Sequence, residues 1–315
     1  MASSAASPSA PARDAHRRAA ADVDARTIEA KALADTLPEL LAEAQRVAAS
    51  VVAGWHGRRR AGTGETFWQF RPFVNGEPAH RIDWRRSARD DHLYVREREW
   101  EAAHTIWLWA DLSASMAFRS ALAETTKRDR AVVLMIALAE LAARGGERIG
   151  PLGLGTPIAS RDAAERLATT LVHAPAEALS RLPDTGLVRS FSDVVVIGDL
   201  LDPPAVLERF IGDLSARGVH GHLMQVLDPI EETFPFAGRT EFRDPETGAL
   251  ITAGRAEGWR EAYRDRLAAH REAIRLIARR AGWSFILHHT DKPASGALLA
   301  LRACLAGAGT GGATP

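Results

Sequence analysis

The stretch Thr105–Phe118, TIWLWADLSASMAF, joins a short apolar run to a carboxylate and two hydroxyls at alternate positions. Ile106 to Ala110 is apolar on both faces and too short for a membrane span, which predicts a strand buried in the middle of a sheet. Asp111, Ser113 and Ser115 follow as D-x-S-x-S, so the carboxylate stands at the strand's C-terminal end. In open parallel sheets ligands bind at that edge, in the crevice where the strand order reverses. A carboxylate and two hydroxyls on one loop offer only hard oxygens, with no Cys or His beside them. That donor set suits Mg²⁺ or Mn²⁺ and does not suit zinc. Taken alone, the same residues also suit an ordinary helix start, because Asp and Ser are common N-caps.

A second stretch, Ser192–Asp202, reads SDVVVIGDLLD. Val194 to Ile197 is again a buried-strand run, and Asp199 follows it. Two central strands of a doubly wound sheet can lie side by side with their C-terminal ends together, so that Asp111 and Asp199 share one ion. Asp202 is either an outer partner of that site or the N-cap of a helix beginning at Pro203.

The pattern of these two stretches resembles the metal-ion-dependent adhesion site of von Willebrand factor A domains. That resemblance implies a third component, a Thr on a loop between the two aspartates. Thr185 in PDTG lies shortly before the second strand, and Thr156 in GLGT is its rival.

The chain has 315 residues, 46% hydrophobic and 25% charged, enough for one large α/β domain with additions. Forty basic residues balance forty acidic ones, so no long-range field favours nucleic acid or an anionic membrane. The single cysteine, Cys304, excludes a disulfide within the chain and fits a reducing compartment. The longest apolar run, Ala131–Ala139, is far short of the roughly 20 residues a membrane helix needs. Asp14, Arg17 and Arg18 stand where a signal peptide would have its apolar core. A cytoplasmic protein without a membrane span is expected.

Residues 1–25 are Ala/Ser/Pro-rich and predicted to be a disordered tail. A helix is expected over 26–53, with Leu33, Leu37, Leu40, Leu41, Ala44 and Ala48 at helical spacing and Pro38 as a kink or split. Residues 54–104 are aromatic- and arginine-rich and read as a small β region with a turn at Asn75-Gly76 and a half-exposed strand over His92–Arg98. Trp55, Trp68 and Trp84 are expected in its core. The Gly62-Thr63-Gly64 piece is no phosphate loop, since no Lys-Ser/Thr follows and no strand precedes it.

From 105 to 308 strand and helix alternate, which predicts an α/β fold with a doubly wound, mostly parallel sheet. Helices are expected at Lys127–Ala143, Arg161–Leu171, Pro203–Arg217, Glu257–Ala281 and Ser295–Leu305. Strands are expected at Arg148–Leu154, Val219–Leu227 and Trp283–His288. Residues 231–252 read as an inserted β-hairpin turning at Pro245–Gly248, and 309–315 as a flexible tail. His288 and His289 point to opposite faces of the last strand and cannot share a metal.

Arg81-Ile82-Asp83-Trp84-Arg85-Arg86-Ser87-Ala88-Arg89, then Leu93-Tyr94-Val95 with Glu97, Glu99 and Glu101, then the D-x-S-x-S strand, resemble the bacterial domain-of-unknown-function family fifty-eight. The resemblance covers about residues 45–305. It implies a von Willebrand factor A-like (Rossmann-like) fold, and a MoxR-type AAA+ ATPase, with its client protein, as partner.

On that footing the expected function is a non-enzymatic, metal-dependent adaptor in which Asp111, Ser113, Ser115, Thr185 and Asp199 hold Mg²⁺ or Mn²⁺ and a partner's carboxylate completes the shell. Arg81, Asp83, Trp84 and Arg85 are candidates for contact with a partner, or for a network tying their segment to the domain. An Mg²⁺-dependent phosphoester hydrolase using Asp111 is the alternative, although Ser113 stands where such enzymes usually carry a second carboxylate. There is no G-x-S-x-G elbow and no H-E-x-x-H. A structural domain with a decayed site is the third reading.

Overall fold

In the computed structural model the described residues are 34–51, 60–62, 66–74, 77–89, 91–100 and 104–307. The expected tails at 1–25 and 309–315, the Asn75-Gly76 turn, Trp55 and the side chains of Trp68 and Arg81 lie outside them.

Helix α1 (residues 34–51) carries Leu37, Leu40, Ala44, Ala48 and Val51 at three- and four-residue steps, and all five are buried in the main core. It runs through Pro38 without a break, so the expected split does not occur. Strands β1 (Arg60–Gly62), β2 (Thr66–Pro72) and β3 (Tyr94–Trp100) form a small antiparallel sheet in the order β1-β3-β2. The one-turn helix α2 (Trp84–Ser87) lies between β2 and β3 in sequence. Asp83 caps it, accepting from the Arg86 backbone N–H at 2.9 Å. Trp84 is 62% exposed, against the expectation of a core residue; the buried side of this single turn is Ser87.

The main sheet is built from β4 (Thr105–Ala110), β5 (Arg148–Pro151), β6 (Asp193–Gly198), β7 (His220–Leu227) and β10 (Ser284–His289). Its order is β10-β7-β6-β4-β5, every neighbouring pair parallel. Between the strands run α3 (Lys127–Arg144), α4 (Ala163–His173), the short α5 (Ala176–Leu179), α6 (Pro204–Ser215), α7 (Pro229–Thr233), α8 (Arg260–Arg280) and, after β10, α9 (Ala294–Gly307). This is the doubly wound sheet of von Willebrand factor A (Rossmann-like) type.

The β4 residues alternate between two cores, as the period of a strand requires. Ile106, Leu108 and Ala110 face one with α1, α3, α4 and α9. Trp107 and Trp109 face the other with Leu207, Phe210, Ile211 and Leu214 of α6 and Ile274 and Ala278 of α8. Helix α3 packs against sheet, α4 and α9 at once, which is why it is apolar nearly all round rather than striped. Each of its fully buried leucines or isoleucines contributes about 1.5–3 kcal/mol. Among the described residues no helix is long and apolar enough to cross a membrane.

Strands β8 (Thr240–Arg243) and β9 (Leu250–Ala253) form the inserted hairpin, a two-stranded sheet separate from the main one. Its predicted span begins too early, since residues up to Thr233 belong to α7. Phe242 anchors the base, stacked at 5.6 Å on Phe234 and at 6.1 Å on Trp259.

Candidate functional site

The chain leaves β4 for β5 on one side and returns to β6 on the other, so the strand order reverses between β4 and β6. Their register, Ile106↔Asp193 through Ala110↔Ile197, ends both strands at one edge. Asp111 and Asp199 therefore emerge together at the switch point. The Asp111 N–H donates to Ile197 O at 2.8 Å, extending the pairing by one bond. Gly198 makes room for this approach, because a Cβ there would stand 2.8 Å from Asp111 Cβ. Leu200 turns the chain away with a left-handed φ of 52°, a conformation costly for a leucine and typical of sites the fold holds in place.

A chain of hydrogen bonds joins the motif residues. The Ser113 N–H donates to Asp111 Oδ1 at 2.9 Å, the Ser113 and Ser115 hydroxyls lie 3.1 Å apart, and the Ser115 hydroxyl donates to Asp199 Oδ2 at 3.0 Å. Asp199 Oδ1 accepts from the Leu201 N–H at 3.2 Å. Burial, and then the charge of Asp199, push the Asp111 carboxyl up to about 6.

Three charged groups that the motif did not announce complete the cleft. Lys127, the first residue of α3, is 1% exposed and places its ammonium 3.1 Å from Asp199 Oδ2 and 2.7 Å from Glu231 Oε1. Burial pulls its pKa down, but Asp199 and Glu231 outweigh this and hold it above the ordinary lysine value. Glu231 also accepts from the Asp228 N–H in the capping box of α7. Glu246, at the tip of the β8–β9 hairpin, accepts from the Ser115 N–H at 2.8 Å. Behind Asp199, Gln225 donates to the Asp199 carbonyl at 2.9 Å. Arg271 donates in turn to Gln225 at 3.2 Å and to Glu232 at 2.7 Å.

Asp111, Ser113, Ser115 and Asp199 are thus brought together, and Thr185 is not. The Thr185 hydroxyl accepts from Arg217 Nη2 at 2.7 Å and its carbonyl from Nη1 at 2.8 Å. Arg217 follows the C-terminus of α6, which has run from the carboxyl edge of the sheet back to the start of β7. Thr185 is therefore at the opposite edge from Asp111. Thr156 lies exposed in the loop after β5, on the correct edge, with no hydrogen bond to either aspartate among the described residues. Asp202 does not cap α6, whose N-cap is Pro203; partial burial and the charges of Asp199 and Glu246 push its carboxyl up. Arg85 and Trp84 are exposed on α2, while Arg86 lies over the Tyr94 ring at 4.7 Å. His288 is buried and His289 pairs with Glu232 on the other face, as their adjacency implies.

Among the described residues no three His, Cys, Asp or Glu side chains gather as metal ligands. The cleft instead offers two carboxylates and two hydroxyls, with Lys127 already balancing Asp199. Of the two motif aspartates, Asp111 has no lysine partner among the described residues, and burial first, then the charge of Asp199, raises its pKa. A hard divalent ion fits this set of oxygens, with water completing its shell.

Fold and cleft together define a class: a von Willebrand factor A-type α/β domain with a carboxylate–hydroxyl site at the switch point of its sheet. More particularly, the chain belongs to the family described as "Protein of unknown function DUF58", which matches residues 69–273. An uncharacterized protein of Mycobacterium bovis is 29% identical over 263 residues, covering 77% of this chain and 80% of the relative. An uncharacterized protein of Mycobacterium tuberculosis (strain H37Rv) matches with the same figures. Among solved structures, the conserved hypothetical protein BatB from Bacteroides thetaiotaomicron aligns with a TM-score of 0.39 and 15% identity, covering 65% of this chain and 99% of that one. An aerotolerance-related membrane protein from Bacteroides fragilis aligns with a TM-score of 0.39 and 16% identity over the same shares.

Proposed function

We propose that the switch-point cleft is a divalent-cation-dependent protein-binding site and that the protein is a non-enzymatic adaptor. The observation that carries this reading is the convergence of Asp111, Ser113, Ser115 and Asp199 at one open edge, linked by hydrogen bonds of 2.9–3.1 Å. These four residues would hold Mg²⁺ or Mn²⁺, and the bound ion would supply the positive charge that attracts a partner's carboxylate. Lys127, shared with Glu231, fixes Asp199 in place and offsets part of its charge, so that one aspartate is preset and the other, Asp111, carries the charge the ion meets unopposed. The Ser115 N–H at the rim already donates to a carboxylate oxygen, that of Glu246 at 2.8 Å, so this donor suits a partner's carboxylate once Glu246 gives way.

The hydrolase alternative gains nothing from the geometry. Lys127 is committed to two carboxylates rather than turned to a substrate phosphoryl group, and the residue two after Asp111 is a serine hydrogen-bonded within the motif.

Family resemblance names the partner in this reading: a MoxR-type AAA+ ATPase on the cytoplasmic side, with a client protein whose assembly or remodelling it drives. Arg81, Asp83, Trp84 and Arg85, two of them exposed on α2, are a second contact region. Affinity capture from the native lysate with Mg²⁺ or with chelator tests it. The ATPase is expected with the wild type in Mg²⁺ and absent with chelator or with Asp111→Ala; its absence under every condition contradicts the reading.

A further inference from the structure

The inserted hairpin forms a two-stranded sheet separate from the main one, yet its tip reaches the cleft. Its base is fixed by aromatic packing: Phe242 lies among Phe234, Phe236 and Trp259, and Ala253 is fully buried. Its turn is stiffened from within. Asp244 accepts from the Glu246 N–H at 2.9 Å and from the Thr247 hydroxyl, and the Gly248 N–H returns to the Asp244 carbonyl at 2.8 Å. This turn projects one carboxylate, Glu246, onto the N–H of Ser115, the last residue of D-x-S-x-S.

That contact sets a further carboxylate in an acidic neighbourhood. Glu246 adds a third negative charge beside Asp199 and Asp202, and it helps to push the Asp202 carboxyl up. A surface glutamate with a free choice of rotamers would turn to water. It is held there by a backbone donor and by a turn built to present it.

We propose that Glu246 is a stand-in for the partner's acidic side chain: the hairpin occupies the binding site from within, and a partner enters by presenting a carboxylate on a similar turn and displacing Glu246. The inference rests on the protein-binding reading of the cleft, and it adds the form of the ligand and a built-in competitor. The partner it selects is a protein loop carrying Asp or Glu at its apex, as the hairpin turn carries Glu246. A tethered competitor works at an effective concentration of about 1 mM, so if its own contact has a dissociation constant of about 0.1 mM it weakens an incoming ligand about tenfold.

The test uses the full chain, Glu246→Ala, and a fluorescein-labelled synthetic peptide copying residues 240–253, with a second peptide in which its glutamate at 246 is glutamine. Glu246 is exposed, so its truncation leaves the fold in place. Fluorescence anisotropy is expected to show Glu246→Ala binding the first peptide about tenfold or more tightly than the wild type, and neither protein binding the glutamine peptide. Equal binding by the two proteins, binding by neither, or equal binding of the two peptides overturns the proposal. Each titration is run with Mg²⁺ and with chelator. A tenfold gain that persists in chelator upholds the hairpin as competitor and refutes cation dependence. Mg²⁺ binding that requires Asp111, with no gain in Glu246→Ala, does the reverse.

Discussion

Replacing Lys127 by methionine isolates the charge that organises the cleft, since methionine keeps most of the aliphatic stem and removes the ammonium. In the folded protein that ammonium is 1% exposed and faces Asp199 and Glu231, whose side chains are 7% and 19% exposed. Removing it leaves two carboxylates facing each other out of water. Breaking a buried pair in this way costs ~3–5 kcal/mol, whereas an exposed pair is worth at most ~1 kcal/mol. Against a total stability on the order of 5–15 kcal/mol, the loss is a large share. Urea unfolding followed by circular dichroism should show a lower midpoint at an unchanged slope, which separates lost stability from a changed denatured state. Adding Asp199→Asn and Glu231→Gln to Lys127→Met should recover much of the loss, because the stranded charges are then gone. A loss below about 1 kcal/mol for Lys127→Met alone would refute the buried bridge.

Asp111→Asn should stabilise the metal-free protein. The folded pKa of Asp111, about 6, lies above its ordinary 3.8, so the stability its protonated form contributes is present below that value and lost as pH rises through about 6. In chelator the variant should be more stable than wild type by about 2–3 kcal/mol above neutral pH, with the gain vanishing toward about pH 4. His288 has the opposite sign: burial, then Arg130 and His289, hold its pKa near 4 against the ordinary 6.5. Its neutral form contributes stability that is present above pH 6.5 and lost as pH falls through 4. His288→Gln should therefore close its stability gap to wild type by roughly 3 kcal/mol over that window, read from urea midpoints at both ends. Gly198→Ala places a Cβ 2.8 Å from Asp111 Cβ; it should cost about 1–3 kcal/mol and abolish ion binding by displacing Asp111, which calorimetry would show.

The two strands and the edge at which they end were legible because a run such as WLWA or VVVI, stopped by a carboxylate, admits few other readings. The alternation over His92–Arg98 and the aromatic texture of its segment made the small sheet that precedes them legible too. The edge on which a connecting loop sits is not written in spacing. Thr185 lies close to β6 in sequence, but it precedes the strand and so falls at the amino edge, bound to Arg217. Lys127 escaped notice because a lysine at the start of a helix normally faces water. The signal was the company it keeps, an eighteen-residue helix with fourteen buried positions that leaves little exposed face for its first turn. Glu231 and Glu246 reach the cleft from 104 and 131 residues along the chain, a pairing that only the folded topology creates. Trp84 was misplaced for a related reason: an aromatic residue in an arginine-rich segment suggests a core, but a single helical turn has room to bury only Ser87.

The most direct test of the central claim is calorimetric titration of Mg²⁺ and Mn²⁺ into the wild type, Asp111→Ala and Thr185→Ala. Binding by the wild type and by Thr185→Ala, lost in Asp111→Ala, is the expected result. No ion binding by the wild type, or binding undiminished in Asp111→Ala, would contradict the cation-dependent site.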